Sequence, residues 1–269
     1  MSLDDIALRS REGKKQTLHI LYEDQDILVI DKPPGVPVVP DRWDTAKLNA
    51  QDLLNAKIQK NSPTRKNRIW IVHRIDQDTS GLVIFAKNSE SHRQLNRAFS
   101  TAKINKSYLA VVRGCPEPAE GRIDLALSPQ KKGRVVVDPA GKKSITFYSV
   151  EDKFSRFSVL KVNPVTGRTH QIRVHLMAMG HPLLVDPLYA GKTHFGIMEL
   201  KRSARIQSDD EPALISRLSL HALEIKFVHP RTKMPMEFTA EVPKDIQAVI
   251  KALKKWDSIK AGRQPHDRS

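Results

Sequence analysis

Several absences in the sequence narrow what this chain can be. It has a single cysteine, Cys115, so an internal disulfide is excluded and a reducing compartment, the cytoplasm, is favoured. No stretch approaches the roughly 18 consecutive apolar residues that a membrane-spanning helix needs, and no apolar signal segment follows Met1. Internal repeats and Gly/Ser-rich linkers are also missing. We therefore expect one compact domain without a membrane anchor.

Acidic residues are scarce relative to basic ones. Asp and Glu number 30 against 45 Lys and Arg, which gives a net charge of +15. A basic excess of this size favours a polyanionic partner, because each phosphate that a protein neutralises releases counterions. The alternative is a solvated basic surface that only keeps the protein soluble. Charge alone favours nucleic acid.

The remaining composition is that of an ordinary globular protein. Hydrophobic residues make up 39% and charged residues 28% of 269 residues, enough to bury a real core. Strand patterns, such as those at 18–22, 27–30 and 107–112, outnumber helical ones and mostly follow one another directly. We therefore predict an α+β fold in a single domain, with a central, mostly antiparallel mixed β-sheet flanked by helices and loops.

The pattern also predicts boundaries along the chain. We expect a flexible N-terminus at 1–17, a catalytic domain at 18–256 and a disordered basic tail at 257–269. Helices are predicted at 45–59, at 89–102, from a Thr169 cap to Met179 and at 245–256, with a long loop at 191–217.

A cluster of polar residues around Asp76 is the most informative segment. It runs into Gly81 and then into an apolar strand pattern at 82–86, which places its side chains in a cleft beside a rigid element. A carboxylate nucleophile needs no general base, but a nearby cation must keep it ionised in a partly dry site. Arg74, Arg168 and Arg173 are candidates for that cation. Alternatively, Asp76 only accepts backbone N–H groups in a turn.

Two other interpretations of this segment fit poorly. The oxygen-bearing residues from Asp76 onward imitate an EF-hand loop, but the position that needs glutamate is Lys87. Residues 78–81 resemble the D-T-S-G motif of aspartic proteases, whose chemistry needs two carboxylates. No second such motif occurs in the sequence, so a protease would have to be a homodimer.

The same segment resembles the signature of the RluA family of pseudouridine synthases. Residues 73–82 read H-R-I-D-Q-D-T-S-G-L, and only Ile75 departs from H-R-L-D-x-x-T-S-G-L. Blocks at 21–35, 106–108, 166–182 and 220–222 resemble further family elements in the same order, so the resemblance covers roughly residues 18–245. It implies an isomerase that converts uridine to pseudouridine in a ribosomal or transfer RNA stem-loop. It also implies a cleft across the sheet, no cofactor, no metal and a monomer.

The resemblance also implies roles for individual residues. Asp76 would attack the target uridine at C6 of the base or at C1′ of the ribose, a choice that the sequence leaves open. Tyr108 would pack on the base and take part in removing the C5 proton, and Arg173 would pair with Asp76. The predicted substrate contacts are Leu220 under the flipped base, Arg74 in the vacated space, and His73, Thr79 and Arg168. Basic loops at 61–68 and 131–143 would hold phosphates.

Some features qualify this interpretation. Val185 stands where the family usually has glycine, and no extra basic module precedes residue 18, so we expect the catalytic domain to bind RNA largely alone. The histidines, at 73, 170, 175 and 181, lack the spacing of a metal site. A rival hypothesis is a catalytically silent RNA-binding protein. The presence of Asp76, Tyr108 and Arg173 together argues against it.

Overall fold

A computed structural model describes residues 3–9, 13, 15–40, 48–61, 68–201 and 212–259. Within them, the strands are β1 Ile6–Arg9, β2 Lys15–Glu23, β3 Ile27–Lys32, β4 Trp70–Ile71, β5 Ser80–Ala86, β6 Asn105–Arg113, β7 Glu120–Asp124, β8 Leu127–Pro129, β9 Val135–Val137, β10 Ile145–Lys153, β11 Phe157–Pro164, β12 Leu220–Val228 and β13 Pro235–Thr239. The α-helices are α1 Ala50–Asn61, α2 Ser89–Ser100, α3 Gln171–Ala178 and α4 Lys244–Trp256.

Eleven strands form one sheet, in the order β1-β2-β3-β5-β12-β6-β11-β10-β7, with β4 added to β5 and β13 added to β12. Strands β8 and β9 form a separate hairpin. The β5–β12 pair is parallel, whereas the other pairs in the described residues are antiparallel. The predicted α+β fold with a mostly antiparallel mixed sheet is therefore confirmed.

Helices cover both faces of this sheet because its strands are apolar on both sides. On β5, Val83 and Phe85 join the core under α1, whereas Leu82 and Ile84 join the core under α2. Strands β6 and β11 divide their side chains in the same way between α3 and α4. Side chains alternate across a strand, so each apolar strand serves two cores.

The parallel pair joins the two halves of the sheet through a close backbone contact. His221 pairs with Ser80, and Ala222 pairs with Gly81. Gly81 has a φ of +111°, and a Cβ atom there would lie 2.2 Å from the carbonyl oxygen of Ala222. Only glycine fits this position. The contact places the loop that precedes β5 beside the start of β12.

The N-terminal segment differs from the prediction of a flexible stretch at 1–17. Strand β1 pairs with β2, where Ile6 faces Leu18. Leu3 is 8% exposed, and it packs with Ile6 and Leu8 against the core under α1. The short alternation of apolar and polar residues in β1 buries enough surface to add one edge strand.

The structure also bears on the expectations for the C-terminal tail, for Val185 and for the basic loop. Asp257, the first residue of the predicted disordered tail, is buried and accepts a 2.7 Å hydrogen bond from Nε of Arg156. Val185 is fully buried without a positive φ, so no glycine is needed there. Residues 62–67, 202–211 and 260–269 lie outside the described residues, with most of the predicted basic loop and tail. No helix that the structure describes is long and apolar enough to cross a membrane.

Candidate active site

The loop between β4 and β5 carries Asp76, and hydrogen bonds to neighbouring parts of the sheet hold this loop in place. The ammonium group of Lys32 donates to the carbonyl of Gln77 at 2.9 Å, and the backbone N–H of Gly35 donates to the same oxygen. Nε2 of His73 accepts a hydrogen bond from the N–H of Ile84 at 2.9 Å. Lys32 is fully buried, and burial lowers its pKa to about 7. The loop is therefore anchored to β3 and β5 at both of its ends.

Asp76 forms an ion pair with Arg173, which extends from the first turn of α3. Nη1 of Arg173 donates to Oδ2 of Asp76 at 3.0 Å. Nε and Nη2 of the same guanidinium donate to the two oxygens of Asp186 at 2.8 and 2.9 Å. No residue in the described part of the chain bonds to Oδ1 of Asp76. One oxygen of Asp76 is therefore held in place and the other faces the pocket.

Asp186 fixes the direction of the guanidinium. Its Oδ1 also accepts the backbone N–H groups of Leu188 and Tyr189. Arg173 is 7% exposed, and its guanidinium lies 4.9 Å from the centroid of the Tyr189 ring. Burial alone would lower the pKa of Arg173, but the hydrogen bonds to Asp186 and the two negative charges raise it above its ordinary value. The arginine therefore stays charged beside Asp76.

Tyr108 and Leu220 lie on the same face of the sheet. Tyr108 faces Ala222 across the β6–β12 pair, and Leu220 faces Ala110. Burial and the negative charge of Asp76 raise the pKa of Tyr108 above its ordinary value. The tyrosine is therefore a neutral phenol at neutral pH. Its hydroxyl bonds to no other residue that the structure describes.

The remaining predicted site residues also line the pocket, in different environments. His73 stacks on Phe99 with ring centroids 4.6 Å apart, and burial and the charge of Lys106 lower its pKa to about 3. Thr79 is 1% exposed, and its hydroxyl has no hydrogen-bond partner among the described residues. Arg74 and Arg168 are exposed at the mouth of the pocket. The structure thus brings all eight predicted site residues to one pocket.

Helix α3 starts two residues after Thr169, the predicted N-terminal cap. His170 occupies the cap position with a φ of 53° and makes no side-chain capping bond. Gln171 organises the turn instead, because its Oε1 accepts the N–H of Arg168 and the hydroxyl of Thr166. The helix ends as predicted, since Gly180 has a φ of +80° and its N–H bonds to the carbonyl of Met177.

The pocket has a volume of about 380 Å³ and is lined by loop 72–76 with Thr79, by α2, β6 and α3, and by Leu220. The carboxyl group of Asp76 with one free oxygen, the neutral phenol of Tyr108 and the fixed guanidinium of Arg173 meet in it. Such a set can attack an electrophilic carbon and exchange protons with it. It offers no thiolate, and among the described residues no histidine–carboxylate group that could bind a metal ion lies in this pocket.

The carboxylates that could bind a metal lie elsewhere, at the turn between β2 and β3. Ligating atoms of Asp24, Asp26 and His229 lie within 4.8 Å of one another. Oδ2 of Asp24 bonds to His229 at 2.8 Å, and Oδ2 of Asp26 bonds to Arg231 at 2.5 Å. The other oxygen of each carboxylate accepts N–H or O–H donors of the protein. This cluster fits a hydrogen-bonded link between two turns better than a metal site.

Sequence reasoning missed three residues of the site: Lys106, which lines the pocket, and Asp186 and Tyr189, which contact Arg173 from behind it. Asp186 and Tyr189 received no role from the sequence, because their contacts with Arg173 become visible only in the structure. Lys106 stands in the K-x-Y block beside Tyr108. Burial lowers the pKa of Lys106 to about 8, and no carboxylate of the described residues pairs with it. An unpaired, half-buried lysine in a pocket is a signal that sequence alone does not give.

The chain and its mixed sheet are similar to known proteins. A sequence model described as RNA pseudouridylate synthase matches residues 26–178. The chain therefore belongs to the RNA pseudouridylate synthase family, whose members are isomerases that convert uridine to pseudouridine in RNA. This confirms the predicted RluA-type resemblance and the predicted isomerase class.

Individual relatives are similar over most of the chain. The ribosomal large subunit pseudouridine synthase D of Zymomonas mobilis is 35% identical over 242 residues, covering 88% of this chain and 73% of the relative. The enzyme with the same name from Vibrio cholerae is 36% identical over 246 residues, covering 90% of this chain and 73% of the relative.

Two solved structures share the fold. Human RNA pseudouridylate synthase domain containing 4 superposes with a TM-score of 0.67 at 21% identity, covering 87% of this chain and 92% of that one. Human RNA pseudouridylate synthase domain containing 1 superposes with a TM-score of 0.60 at 23% identity, covering 90% of this chain and 97% of that one.

Proposed function

We propose that this protein makes pseudouridine at one or a few uridines of large-subunit ribosomal RNA, with Asp76 as the nucleophile. The Asp76–Arg173 pair in a pocket lined by Tyr108 and Leu220 is the observation that carries the proposal. The names of the relatives support the choice of ribosomal RNA. The net charge of +15 supports a polyanionic substrate.

Asp76 is suited to attack because its two oxygens have different tasks. Oδ2 accepts a hydrogen bond from Arg173, and Oδ1 is left to form the bond. Attack falls either at C6 of the uracil or at C1′ of the ribose. In both cases the glycosidic C1′–N1 bond breaks, the base turns and C1′ bonds to C5. C5 loses its proton to solvent, N1 takes one up and Asp76 is released, so the overall change is an isomerisation.

Tyr108 changes its acidity during this sequence. In the free enzyme, the negative charge of Asp76 is one of the two causes that raise the pKa of Tyr108. Once Asp76 has become an ester or an adduct, that charge is gone and the phenol becomes more acidic. If Asp76 attacks C6, Tyr108 is therefore best able to take part in removing the C5 proton while Asp76 is still bonded to the base. Its ring packs on the base at every stage.

The other pocket residues would hold the flipped nucleotide. Leu220 lies under the base, and the free hydroxyl of Thr79 can bond to its polar edge. Extracting a base from a stack costs a few kcal/mol, which Arg74 offsets by filling the vacated space. Arg168 reaches a phosphate at the pocket mouth. Nε2 of His73 already accepts the backbone N–H of Ile84, so it does not bond to the nucleotide, and the rest of the imidazole ring provides the contact.

The decisive experiment is pseudouridine mapping in RNA from cells with and without this gene, by carbodiimide adducts and reverse transcription. We expect one or a few stops in large-subunit ribosomal RNA to disappear and to return with the wild-type gene but not with Asp76→Asn. Purified wild-type protein should release tritium from [5-³H]uridine-labelled transcripts of that RNA. Stops that disappear from transfer RNA instead would correct the substrate. If no stop changes and no tritium is released, the proposed activity is wrong.

A further inference from the structure

Helix α2 separates the catalytic pocket from a second groove. Asn96, Phe99 and Ser100 face the pocket, whereas Arg97 and Thr101 line the groove on another side of the helix. The groove has a volume of about 490 Å³ and lies between α2 and the turn that connects β12 to β13. A helix with its side chains is about 10–12 Å across. The groove therefore opens roughly one helix diameter from Asp76's pocket.

The groove carries positive charge, and the described residues leave two of its cations, Arg97 and Lys103, without an anionic partner. Its lining includes Arg93, Arg97, Lys103 and Lys233 but no aspartate or glutamate. Glu90 neutralises Arg93, with a shortest N–O distance of 2.7 Å. The ammonium group of Lys233 bonds only to neutral acceptors, the side chain of Gln94 and the carbonyl of Pro230. Arg97 and Lys103 are exposed and form no ion pair with the part of the chain that the structure describes.

The floor between these cations is apolar. Leu95 is buried, and Val228 remains 56% exposed beside it. The end of α2 adds no competing negative charge, because three hydroxyl or N–H donors of Ser100 and Thr101 satisfy the carbonyl of Arg97. Unpaired cations around an apolar floor match a strand of nucleic acid, whose phosphates seek cations while its sugars and bases tolerate apolar contact.

We propose that this groove binds the phosphate backbone of the RNA substrate beyond the target uridine. The inference rests on the proposed function, since the RNA that enters the catalytic pocket is the strand that would cross α2. Stacked nucleotides advance about 3.4 Å each, so a strand about 10–12 Å long reaches the groove within a few nucleotides of the pocket. Arg97 and Lys103 would then contact phosphates without reading the sequence.

The test compares two double variants that each remove two exposed positive charges. Arg97→Gln with Lys103→Gln alters the groove. Lys244→Gln with Lys251→Gln is the control, because both lysines are exposed on α4, which packs on a different core. The affinity for an unmodified large-subunit ribosomal RNA transcript is measured between about 50 and 200 mM salt. Unchanged circular dichroism and melting temperatures verify that both variants fold.

We expect the groove variant to bind about tenfold more weakly, with a plot of log affinity against log salt that is shallower by about 1.4–1.8, the value for two lost phosphate contacts. The control should retain nearly the wild-type slope, and single-turnover rates at saturating protein should be equal in all three proteins. A groove variant that binds like the control overturns the proposal. Tritium release by the wild type decides the proposed function separately, because the salt slope is measured without turnover.

Discussion

A single arginine connects the pocket to the core beneath it. Arg173 gives one N–H to Asp76 and two to Asp186, so the orientation of the proposed nucleophile depends on a carboxylate that never faces the pocket. A buried guanidinium needs such partners, because an unpaired buried charge is costly. Asp186 is therefore a positioning residue. The sequence predicted the Asp76–Arg173 pair from its resemblance to family motifs, but the bonds from Arg173 to Asp186 follow only from the fold.

Tyr108→Phe tests the proton transfer without disturbing the pocket. The hydroxyl bonds to no described residue, so its loss should change the free energy of unfolding by less than about 0.5 kcal/mol. If the hydroxyl takes part in removing the C5 proton, the single-turnover rate should fall by about 10²–10⁴-fold with unchanged RNA affinity. Tyr148→Phe, on β10 away from the pocket, is the matched control and should keep the wild-type rate. A fully active Tyr108→Phe enzyme would leave the tyrosine a packing role only.

His73 predicts a pH dependence of stability. Its pKa is about 3 in the folded protein against 6.5 for the free side chain. Between these values the unfolded chain binds a proton that the folded protein does not, so this histidine makes stability fall as the pH falls from 6.5 to 3. Above pH 6.5 both states are neutral and the contribution is constant.

His73→Gln should remove this dependence, because the glutamine oxygen can still accept the N–H of Ile84. In urea titrations from pH 8 to pH 4, the wild type should lose about 1.4 kcal/mol per pH unit relative to the variant below pH 6. The curves should run parallel above pH 7. His194→Gln, at an exposed position, should track the wild type throughout. Parallel wild-type and His73→Gln curves below pH 6 would show that His73 becomes protonated in the folded state.

At the scale of elements, the contact between β5 and β12 positions the loop that carries Asp76. The sequence predicted β5, α2 and β6 because each has a long, regular apolar pattern. It missed β1, whose four residues are too few for a periodic signal, and it placed the start of α3 too early because the buried Gln171 organises that turn. Local patterns predict elements, but they do not show which backbone segments touch.

Gly81→Ala should break this contact. The new methyl group would meet the carbonyl oxygen of Ala222, and a φ of +111° is reserved almost entirely for glycine. We expect a loss of about 3 kcal/mol or more in the free energy of unfolding, together with loss of activity. Gly133→Ala is the control: its φ is +73°, but nothing lies within 4 Å of the added carbon, so about 1 kcal/mol is expected. Urea unfolding of both variants measures the difference. Equal losses would mean that the backbone conformation alone matters.

At the scale of the whole molecule, one sheet runs through both halves of the chain. Helices α1 and α2 enclose its N-terminal half, and α3 and α4 enclose its C-terminal half, with Tyr108 packed against cores of both. We propose that the predicted catalytic domain, which the structure extends to β1, unfolds as a single cooperative unit.

Two tryptophans report on this proposal, because Trp70 lies on β4 and Trp256 ends α4. The third tryptophan, Trp43, is replaced by phenylalanine in both proteins, so that one reporter remains in each. In urea, the fluorescence transition of the protein with Trp43→Phe and Trp70→Phe, and that of the protein with Trp43→Phe and Trp256→Phe, should each coincide with the same protein's circular dichroism transition. Each variant keeps a reporter in the opposite half. Separate midpoints within either protein would divide the sheet into two independently stable parts.

The hydrogen bond between Ser80 and His221 has a consequence for when the protein can fold during its synthesis. Its partners are 141 positions apart, and a ribosome that adds about 5–20 residues per second needs about 7–28 s to travel between them. Throughout this interval β5 has no β12 to pair with, and Asp76 has no partner until Arg173 of α3 has been synthesised. We therefore expect the nascent chain to have no activity at the proposed site until His221 has been added and β12 can pair with β5.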